Sequence, residues 1–335
     1  MISKSVFITG GAGYVGSCLV PELLKHGYKV TVYDIMYFGC DFLPKANSNL
    51  KIIKGDIRDT EKLEKSCNNH EFFLHLACIS NDASFELDEK LSTSINLDAF
   101  EPMILAAKRS GIKRFIYAST SSVYGVSDKP NVTENHPLVP LTLYNKYKGM
   151  CEPLLTKHTT NKFEGVIFRP ATVCGYAPRL RLDLSVNILT NHAVCNNKII
   201  VFGGEQLRPN LHVLDYCDVV RLLLAAPSKK IKNEVFNVGY QNMSIKEIAH
   251  LVKKVVEKEI FNEKKIEIEM QSSNDNRSYH INSDKIFNSL GYKAKRGLDE
   301  AIKGLCESFK KGLIPNSFED DFYYNVRRIK NIKAR

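Results

Sequence analysis

The sequence contains no tryptophan, no Cys-x-x-Cys pair and no apolar run of about 18 residues. The absence of such a run predicts that no segment spans a membrane. Met1–Thr9, with Lys4 inside it, is predicted as a strand instead of a signal peptide. The nine cysteines lack the spacing of zinc ligands, so we expect no metal site. Their odd number and mostly apolar surroundings are typical of reduced thiols in a cytoplasmic protein.

Acidic residues are outnumbered: the 335 residues include 37 Asp and Glu against 47 Lys and Arg, a formal net charge of +10. A hydrophobic content of 44% excludes a disordered or fibrous chain. The positive charge is compatible with nucleic acid, with an anionic small substrate or with a lysine-rich surface that has no specific partner. No basic helix or aromatic stacking motif is present, so we expect no nucleic-acid partner.

The first half of the chain alternates short β-rich runs with helical patterns. The predicted strands are 5–9, 29–34, 51–54, 72–76, 114–118 and 166–168, and the predicted helices include 14–26, 92–109 and 144–158. This alternation predicts an α/β fold with a Rossmann-type doubly wound parallel sheet. Beyond residue 170 loops lengthen and prolines cluster. We therefore expect one domain over 1–170 and a smaller α/β lobe over 171–335, whose chain crosses back to the first domain.

A glycine-rich turn, Thr9–Gly16 (TGGAGYVG), joins the first strand to the first helix. Gly10 permits a tight turn, Gly13 lets a diphosphate approach the backbone, and Gly16 lets the helix pack on the strand. The helix N-terminus then offers free N–H groups and the positive end of its dipole to phosphates. In this strand–turn–helix context the motif predicts a dinucleotide site.

Acidic residues after the next two strands extend this prediction. Asp34 ends the second strand, at the spacing where a carboxylate binds the adenosine ribose and repels the 2′-phosphate of NADP, so we expect NAD. Asp56 and Ile57 follow the third strand and are candidates for contact with adenine. The alternative for Asp56 is an N-cap of a helix over 60–67.

Tyr144 and Lys148 are four residues apart on a predicted helix and share a face. An ammonium beside a phenol favours the phenolate, so we expect Lys148 to lower the pKa of Tyr144 from about 10. Such a tyrosine accepts a hydroxyl proton while a hydride leaves for nicotinamide. The run Ser119–Gly125 (STSSVYG) follows the fifth strand. Its hydroxyls are placed to hold a substrate oxygen, or they form a serine-rich turn.

Taken together, these motifs resemble the extended short-chain dehydrogenase/reductases that act on nucleotide sugars. The resemblance covers nearly the whole chain and depends on TGGAGYVG, HLAC (75–78), STSSVYG, YNKYK, FRPATVCG and RPNLHVLDYCD. It implies NAD as cofactor, a nucleotide-diphosphate sugar as substrate, and a catalytic set of Thr120, Tyr144 and Lys148. It also implies that His75–Cys78 lies along the cofactor and that Asn96 supports the site.

The implied cofactor-binding residues are Gly10, Gly13, Tyr14, Val15, Gly16, Asp34, Asp56, Ile57, Leu76, Ala77, Asn96, Tyr144 and Lys148. The implied substrate-binding residues are Ser121, Ser122, Thr172, Arg179, Arg181, Asn187, Arg208 and Arg277. Arginines at a helix start suit a diphosphate, and Arg208 and Arg277 match arginines with which the family grips phosphates. For any single arginine, a surface ion pair is the alternative.

The residues after Thr120 depart from several branches of the family. Members that dehydrate a 4-keto sugar carry Asp-Glu there, and decarboxylases usually carry a glutamate at the second position, whereas this chain has Ser121 and Ser122. Epimerases of C3 and C5 use a cysteine near this loop, and 119–125 contains none. What remains is hydride and proton movement at one carbon, most readily C4, by an epimerase, a dehydrogenase or a 4-keto-sugar reductase. A non-catalytic dinucleotide sensor is a further alternative, against which the intact catalytic set argues.

Two further features concern the branch of the family and the oligomeric state. The runs PRLRLDLSVN and Asp320–Val326 (DDFYYNV) resemble a branch in lipopolysaccharide or capsule sugar pathways, which includes enzymes acting on GDP-linked heptoses. Relatives often form homodimers through the helices that here cover 92–109 and 144–158. Phe100, Met103, Met150 and Leu154 are suitable for such an interface, but burial against the sheet explains them equally well.

Overall fold

Strands and helices alternate along most of the chain in the computed structural model, which describes residues 4–127, 129, 131–262, 265–273 and 278–335. The strands are β1 (Ser5–Thr9), β2 (Lys29–Asp34), β3 (Leu50–Lys54), β4 (Phe72–His75), β5 (Arg114–Ala118), β6 (Glu164–Pro170), β7 (Thr172–Cys174), β8 (Lys198–Phe202), β9 (Leu207–His212), β10 (Glu234–Val238), β11 (Gln241–Ser244) and β12 (Glu267–Gln271). The helices are α1 (Tyr14–Lys25), α2 (Thr60–Cys67), α3 (Asp82–Phe85), α4 (Glu89–Thr93), α5 (Phe100–Arg109), α6 (Leu143–His158), α7 (Ser185–Asn196), α8 (Val213–Ala225), α9 (Ser228–Ile231), α10 (Ile245–Glu259), α11 (Asp284–Leu290), α12 (Leu298–Lys310) and α13 (Asn325–Asn331).

Seven parallel strands form the main sheet, in the order β3-β2-β1-β4-β5-β6-β10. This is the predicted doubly wound Rossmann-type α/β fold. Strand β10 comes from the predicted second lobe and pairs with β6, with Glu234 opposite Val166. Helix α8, also from beyond residue 170, packs against α1. The division of the chain at residue 170 stays a prediction.

The central strands are apolar on both sides because helices cover both faces of the sheet. In β1, Val6 and Ile8 belong to a core that α1 and α8 complete, whereas Phe7 faces a second core with α2 and α5. In that second core the rings of Phe73 and Phe115 stack with centroids 4.6 Å apart. The sheet is thereby held rigidly between two hydrophobic layers, and its carboxyl edge is left for the site.

The second lobe contains a three-stranded sheet, β11-β9-β7, and a parallel pair, β12-β8, packed with α7, α10 and α12. Strands β7, β9 and β11 were not predicted, because they are short and polar (β9 is LRPNLH) and show no apolar alternation. Helix α10 begins with a reciprocal capping box between Ser244 and Glu247.

The helix predicted over 92–109 is interrupted. It consists of α4, a π-helical turn over Ser94–Asp98, and α5. Phe100 and Met103 are 1% and 0% exposed and pack against the sheet, so burial explains them and they are not interface residues. On α6, Met150 is 43% exposed. All nine cysteines are free thiols, and none of the described helices is long and apolar enough to cross a bilayer.

Candidate active site

A cleft of about 570 Å³ lies along the carboxyl ends of the sheet strands, where open α/β sheets bind their ligands. The loops that follow β1 to β6 line it. Later segments line it too, among them Arg179, Arg181, Arg208, Tyr279 and Asn325. After the ligands expected from the sequence, we call the part near the glycine loop and the ends of β2 and β3 the dinucleotide half, and the part bounded by Arg208 and Tyr279 the sugar half.

Most of the predicted site residues meet in this cleft. Those that line it are Gly10, Gly13, Tyr14, Val15, Gly16, Asp34, Asp56, Ile57, Leu76, Ala77, Thr120, Ser122, Tyr144, Lys148, Thr172, Arg179, Arg181 and Arg208. Ser121, Asn96 and Asn187 do not line it and are buried behind its walls. Arg277 lies outside the described residues.

The glycine loop owes its form to close backbone contacts. Gly10 has φ +75°, and a Cβ there would lie 2.5 Å from the backbone nitrogen of Ala77. A Cβ on Gly16 would clash with the backbone of Gly11, so Gly16 lets the start of α1 approach the glycine loop closely, and its packing on the strand stays a prediction. Gly13 caps α1 without any side-chain hydrogen bond. The first N–H groups of α1 are therefore available to a ligand.

Two carboxylates stand at the dinucleotide half, each with defined partners. Asp34 accepts hydrogen bonds from the backbone N–H groups of Ala12 (3.0 Å) and Met36 (2.8 Å), and burial raises its pKa. Asp56 is ion-paired with Arg58, whose Nε lies 3.0 Å from both carboxylate oxygens. The alternative in which Asp56 caps α2 is wrong, because Asp59 caps that helix through the N–H of Lys62.

The environment of Tyr144 differs from the prediction. Burial raises its pKa well above 10, Cys78 and Asp82 add to the rise, and Arg181 opposes it. The ammonium of Lys148 is instead bound to the carbonyl oxygen of Ala118 (2.5 Å) and lies 4.7 Å from the centre of the Tyr117 ring. The pKa of Tyr144 is therefore raised and not lowered as predicted, because the phenol is desolvated and the ammonium of Lys148 is bound to another partner.

Thr120 is held by a chain of hydrogen bonds. Its Oγ1 lies 2.9 Å from Oγ of Ser122 and accepts from the Ser122 N–H, while the Ser122 hydroxyl donates to Oδ1 of Asn145. Ser121 is 1% exposed. The two positions after Thr120 thus carry one hydroxyl that orients Thr120 and one that is buried behind the cleft wall.

The predicted diphosphate-binding residues are not equivalent. Arg181 is paired with Asp183 through Nε (2.8 Å) and Nη2 (3.1 Å). Asn187 is fully buried, where it accepts from the N–H of Gly175 and donates to the Arg181 carbonyl oxygen, so it braces the cleft wall from behind. Arg208 lies over the ring of Tyr279, 5.5 Å from its centre, in the sugar half.

Two residues next to the site, Asn325 and Glu152, were not predicted from the sequence. Asn325 joins three cleft residues: its Oδ1 accepts from Arg179 (2.6 Å), its Nδ2 donates to Ser80 (2.9 Å), and its N–H donates to Asp183 (3.2 Å). The only signal for Asn325 was its place in the DDFYYNV run.

Glu152 was also missed, although it stands one helical turn after Lys148. It is buried, accepts from Ser119 next to Thr120, and pairs with Arg169 through two nitrogens. The pair with Arg169 holds α6 against β6, and the bond from Ser119 holds it against the end of β5, where the catalytic set is predicted.

Asn96 is placed by the π-helical turn. Its side chain accepts from the N–H of Ile79 and donates to the carbonyl oxygen of Ile79, both at 2.9 Å. It therefore fixes the loop after β4, which lines the cleft through Leu76 and Ala77. A widened turn at a functional site is a common use of π-helical geometry.

These features fit an anionic dinucleotide. The uncapped start of α1, the glycine loop that admits backbone approach and the carboxylate of Asp34 form a complementary site for phosphates and a ribose. Tyr144, Lys148 and Arg208 line the same cleft and offer a second, substrate molecule polar and charged contacts. Fold and site together define a Rossmann-fold oxidoreductase-type site that binds a dinucleotide beside a second ligand.

Comparison with known proteins identifies the family. The model of the NAD-dependent epimerase/dehydratase family matches residues 6–239, and the chain belongs to this family, whose cofactor is NAD. A UDP-N-acetyl-alpha-D-glucosaminuronate decarboxylase from Bacillus cytotoxicus is 30% identical over 264 residues, 74% of this chain and 79% of the relative. A dTDP-D-glucose 4,6-dehydratase from Mus musculus is 29% identical over 327 residues, covering 92% and 89%. The crystal structure of a UDP-glucose 4-epimerase from Thermotoga maritima with UDP-glucose is 25% identical and has a TM-score of 0.80, covering 92% of this chain and 99% of that one.

Proposed function

We propose that the protein is an NAD-dependent nucleotide-sugar epimerase or C4 dehydrogenase. Its relatives include decarboxylases, dehydratases and epimerases at similar identities, so the choice among them depends on the site. The observation that carries the choice is the pair of positions after Thr120. Ser121 is buried away from the cleft, and the Ser122 hydroxyl is engaged with Asn145 and Thr120. Neither position supplies the carboxyl acid or base that elimination or decarboxylation requires in this family.

The chain's own residues account for proton movement at one carbon. NAD⁺, held by the glycine loop, Asp34 and the loop after β4, supplies a hydride acceptor when bound. Tyr144 accepts the proton of the sugar hydroxyl, and Thr120, oriented by Ser122, holds the same oxygen. Arg181 favours the phenolate of Tyr144, since its positive charge lowers the pKa that burial raises.

The substrate proposed is a nucleotide-diphosphate sugar. Arg208 is placed in the sugar half with its guanidinium over Tyr279, and a planar guanidinium binds a diphosphate through paired hydrogen bonds. Thr172, from β7, lines the same cleft. A 4-keto-sugar reductase uses the same residues in the second half-reaction only, and it is the alternative. GDP-linked heptoses, which the resemblance to one branch of the family implies, are among the candidate substrates for the panel below.

Homodimer formation through α5 and α6 is part of the proposal. Leu105 on α5 and Met150 on α6 are 37% and 43% exposed, whereas Phe100 and Met103 are buried in the protomer. Sedimentation at micromolar concentration tests this interface, and a monomer contradicts it.

A cytoplasmic location is proposed from the nine free thiols, because disulfides form in oxidising compartments.

The test is a panel of UDP-, dTDP- and GDP-linked sugars incubated with the protein and NAD⁺, with NADH absorbance and NMR of the sugar as readouts. A new epimer without net NADH establishes an epimerase, and a keto sugar with accumulating NADH establishes a dehydrogenase. A 4-keto sugar reduced in the presence of NADH, with no reaction of the parent sugars, establishes the reductase. A 4-keto-6-deoxy product or release of CO₂ contradicts the proposal.

A further inference from the structure

Arg179 differs from Arg181, two residues later, in what surrounds its guanidinium. Its side chain lines the cleft, yet the residue is only 2% exposed. Nη2 donates to the neutral Oδ1 of Asn325, and the buried Nε has no hydrogen-bond partner among the described residues. Arg181, by contrast, holds a carboxylate through two nitrogens. A buried cation without an anion bound to it is costly, so the surroundings of Arg179 favour a ligand that brings negative charge.

The backbone near Arg179 is fixed to the first turns of α1. The N–H of Arg179 donates to Oγ of Ser17 (3.2 Å), and the Tyr14 hydroxyl donates to the carbonyl oxygen of Gly175 (2.5 Å). The segment therefore lies directly against the helix whose N-terminus is uncapped. This places Arg179 at the glycine loop of the dinucleotide half.

The guanidinium is positioned from the other side by the loop after β2. Its carbon lies 3.5 Å from the centre of the Phe38 ring, which restricts the plane of the group. Two carboxylates are near enough to stabilise the charge of Arg179, Asp183 and Asp34. Asp183 is paired with Arg181, and Asp34 accepts from the N–H groups of Ala12 and Met36. Both carboxylates thus have other partners, and the Nε–H of Arg179 is left for another acceptor.

We infer that Arg179 binds the diphosphate of NAD, with Asn325 as its positioning residue, instead of the diphosphate of the sugar nucleotide as the sequence predicted. The diphosphate carries the negative charges of NAD, and it is the group that an uncapped helix N-terminus and a buried guanidinium recognise together. The inference depends on the family's cofactor and not on the identity of the sugar. It is therefore tested in the absence of substrate.

The test is calorimetric titration of the nucleotide-free full chain and its Arg179→Met variant with NAD⁺, ADP, adenosine and UDP, each alone. For the variant we expect the Kd for NAD⁺ and ADP to rise about ten- to a hundredfold, as for the loss of a hydrogen bond to a charged group. The Kd for adenosine and UDP should stay within about twofold. Arg208→Met is the matched control, for which UDP affinity falls and ADP affinity is retained.

Three results overturn the inference. NAD⁺ and ADP affinities within twofold of the unmodified chain mean that Arg179 does not contact the cofactor. An equal loss for adenosine and ADP means that Arg179 shapes the adenosine site. A loss of affinity confined to UDP means that Arg179 binds the diphosphate of the sugar nucleotide, as the sequence predicted. If the unmodified chain does not bind NAD⁺, the inference is wrong together with the cofactor assignment. If no sugar in the panel reacts, the proposed function fails but this inference does not depend on that result.

A second variant covers the case in which Arg179→Met does not fold. Arg179→Lys retains the charge but loses the planar group on Phe38 and the fork that reaches Asn325. We expect a smaller loss that is still confined to the diphosphate ligands, NAD⁺ and ADP. Unchanged ADP affinity in the lysine variant together with weaker adenosine binding contradicts the assignment. Thermal unfolding of each variant monitors its folding.

Discussion

The dinucleotide half of the cleft is shaped mainly by backbone, whereas the sugar half and its supports are shaped by side-chain pairs between distant segments. In the first, Gly10 and Gly16 make backbone contacts that no other residue permits, and Asp34 is held by N–H groups. In the second, the supports are pairs such as Glu152 with Arg169 and Thr142 with Asp82, which are 17 and 60 residues apart. Local sequence therefore predicts the first kind of site, and tertiary contacts decide the second.

The comparison also shows what an arginine in a motif means. The guanidinium of Arg181 is hydrogen-bonded to the carboxylate of Asp183, so it is already paired before a ligand binds. Its positive charge still lowers the pKa of Tyr144. Arg208 lies over an uncharged ring. The position of an arginine in a family motif thus identifies a candidate, and its partners determine which ligand it is able to hold.

The largest effect is expected at the junction of the two halves. Tyr144→Phe removes the proton acceptor without altering the glycine loop, so we expect turnover to fall by about 10²-fold or more while NAD⁺ binds as before. Turnover assays with calorimetry check both parts. Loss of NAD⁺ binding in this variant would mean that the Tyr144 hydroxyl is needed to bind the cofactor. The loss of turnover would then no longer support a role for Tyr144 in proton transfer.

The next effect is on stability. Glu152→Gln leaves Arg169 buried, 5% exposed, without its carboxylate, and we expect a loss of about 3–5 kcal/mol in the free energy of unfolding. Denaturant unfolding measures it. Lys65→Met, which breaks the exposed pair with Glu61, is the matched control and should leave the free energy of unfolding nearly unchanged, because solvent screens an exposed pair. Similar losses in the two variants would mean that the buried pair is not a structural support of the site.

Arg208→Ala separates the sugar half from the dinucleotide half. We expect binding of the sugar nucleotide to weaken by roughly 1.5–3 kcal/mol, the scale of a hydrogen bond to a charged group. NAD⁺ binding should be retained, because Arg208 lies beside Tyr279 and not beside the glycine loop. An unchanged KM for the substrate found in the panel would take Arg208 out of the site.

The smallest effect concerns acid stability of the dinucleotide half. Burial lowers the pKa of His75 well below its usual value near 6.5, and its Nδ1 lies 2.8 Å from Oγ1 of Thr9. The unfolded chain binds a proton at this group before the folded one does, so stability is retained above pH 6.5 and is lost as the pH falls. We expect His75 to contribute a slope of up to about 1.4 kcal/mol per pH unit below 6.5.

The measurement is denaturant unfolding of the unmodified chain and of His75→Asn between neutral and mildly acidic pH. The variant should lose less stability than the unmodified chain over this interval. Parallel pH profiles for the two proteins would mean that His75 is not the group held neutral next to the cofactor loop.

The central strands of the main sheet were predictable because they are short apolar runs buried on both faces, as in β1 and β5. The cofactor loop was predictable because glycine spacing is itself a backbone requirement. The polar strands β9 and β11 were not, since what defines them is their pairing with each other, with Gln241 opposite Asn210. Likewise, no local pattern indicates that Arg179 meets Asn325, 146 residues away, or that Lys148 points to Ala118.

The central claim is chemistry at a single carbon by hydride and proton movement, with no enolisation of the neighbouring carbons. The direct test is to run the reaction of the substrate found in the panel in deuterated water and to locate deuterium in the product by NMR. The account predicts no carbon-bound deuterium, because hydride returns from the cofactor and Tyr144 exchanges only the hydroxyl proton. Deuterium at a ring carbon or at C6 would contradict it. That result would require a second acid–base group in the cleft, for which Asp82, bound to the Thr142 hydroxyl near Tyr144, is the candidate carboxylate.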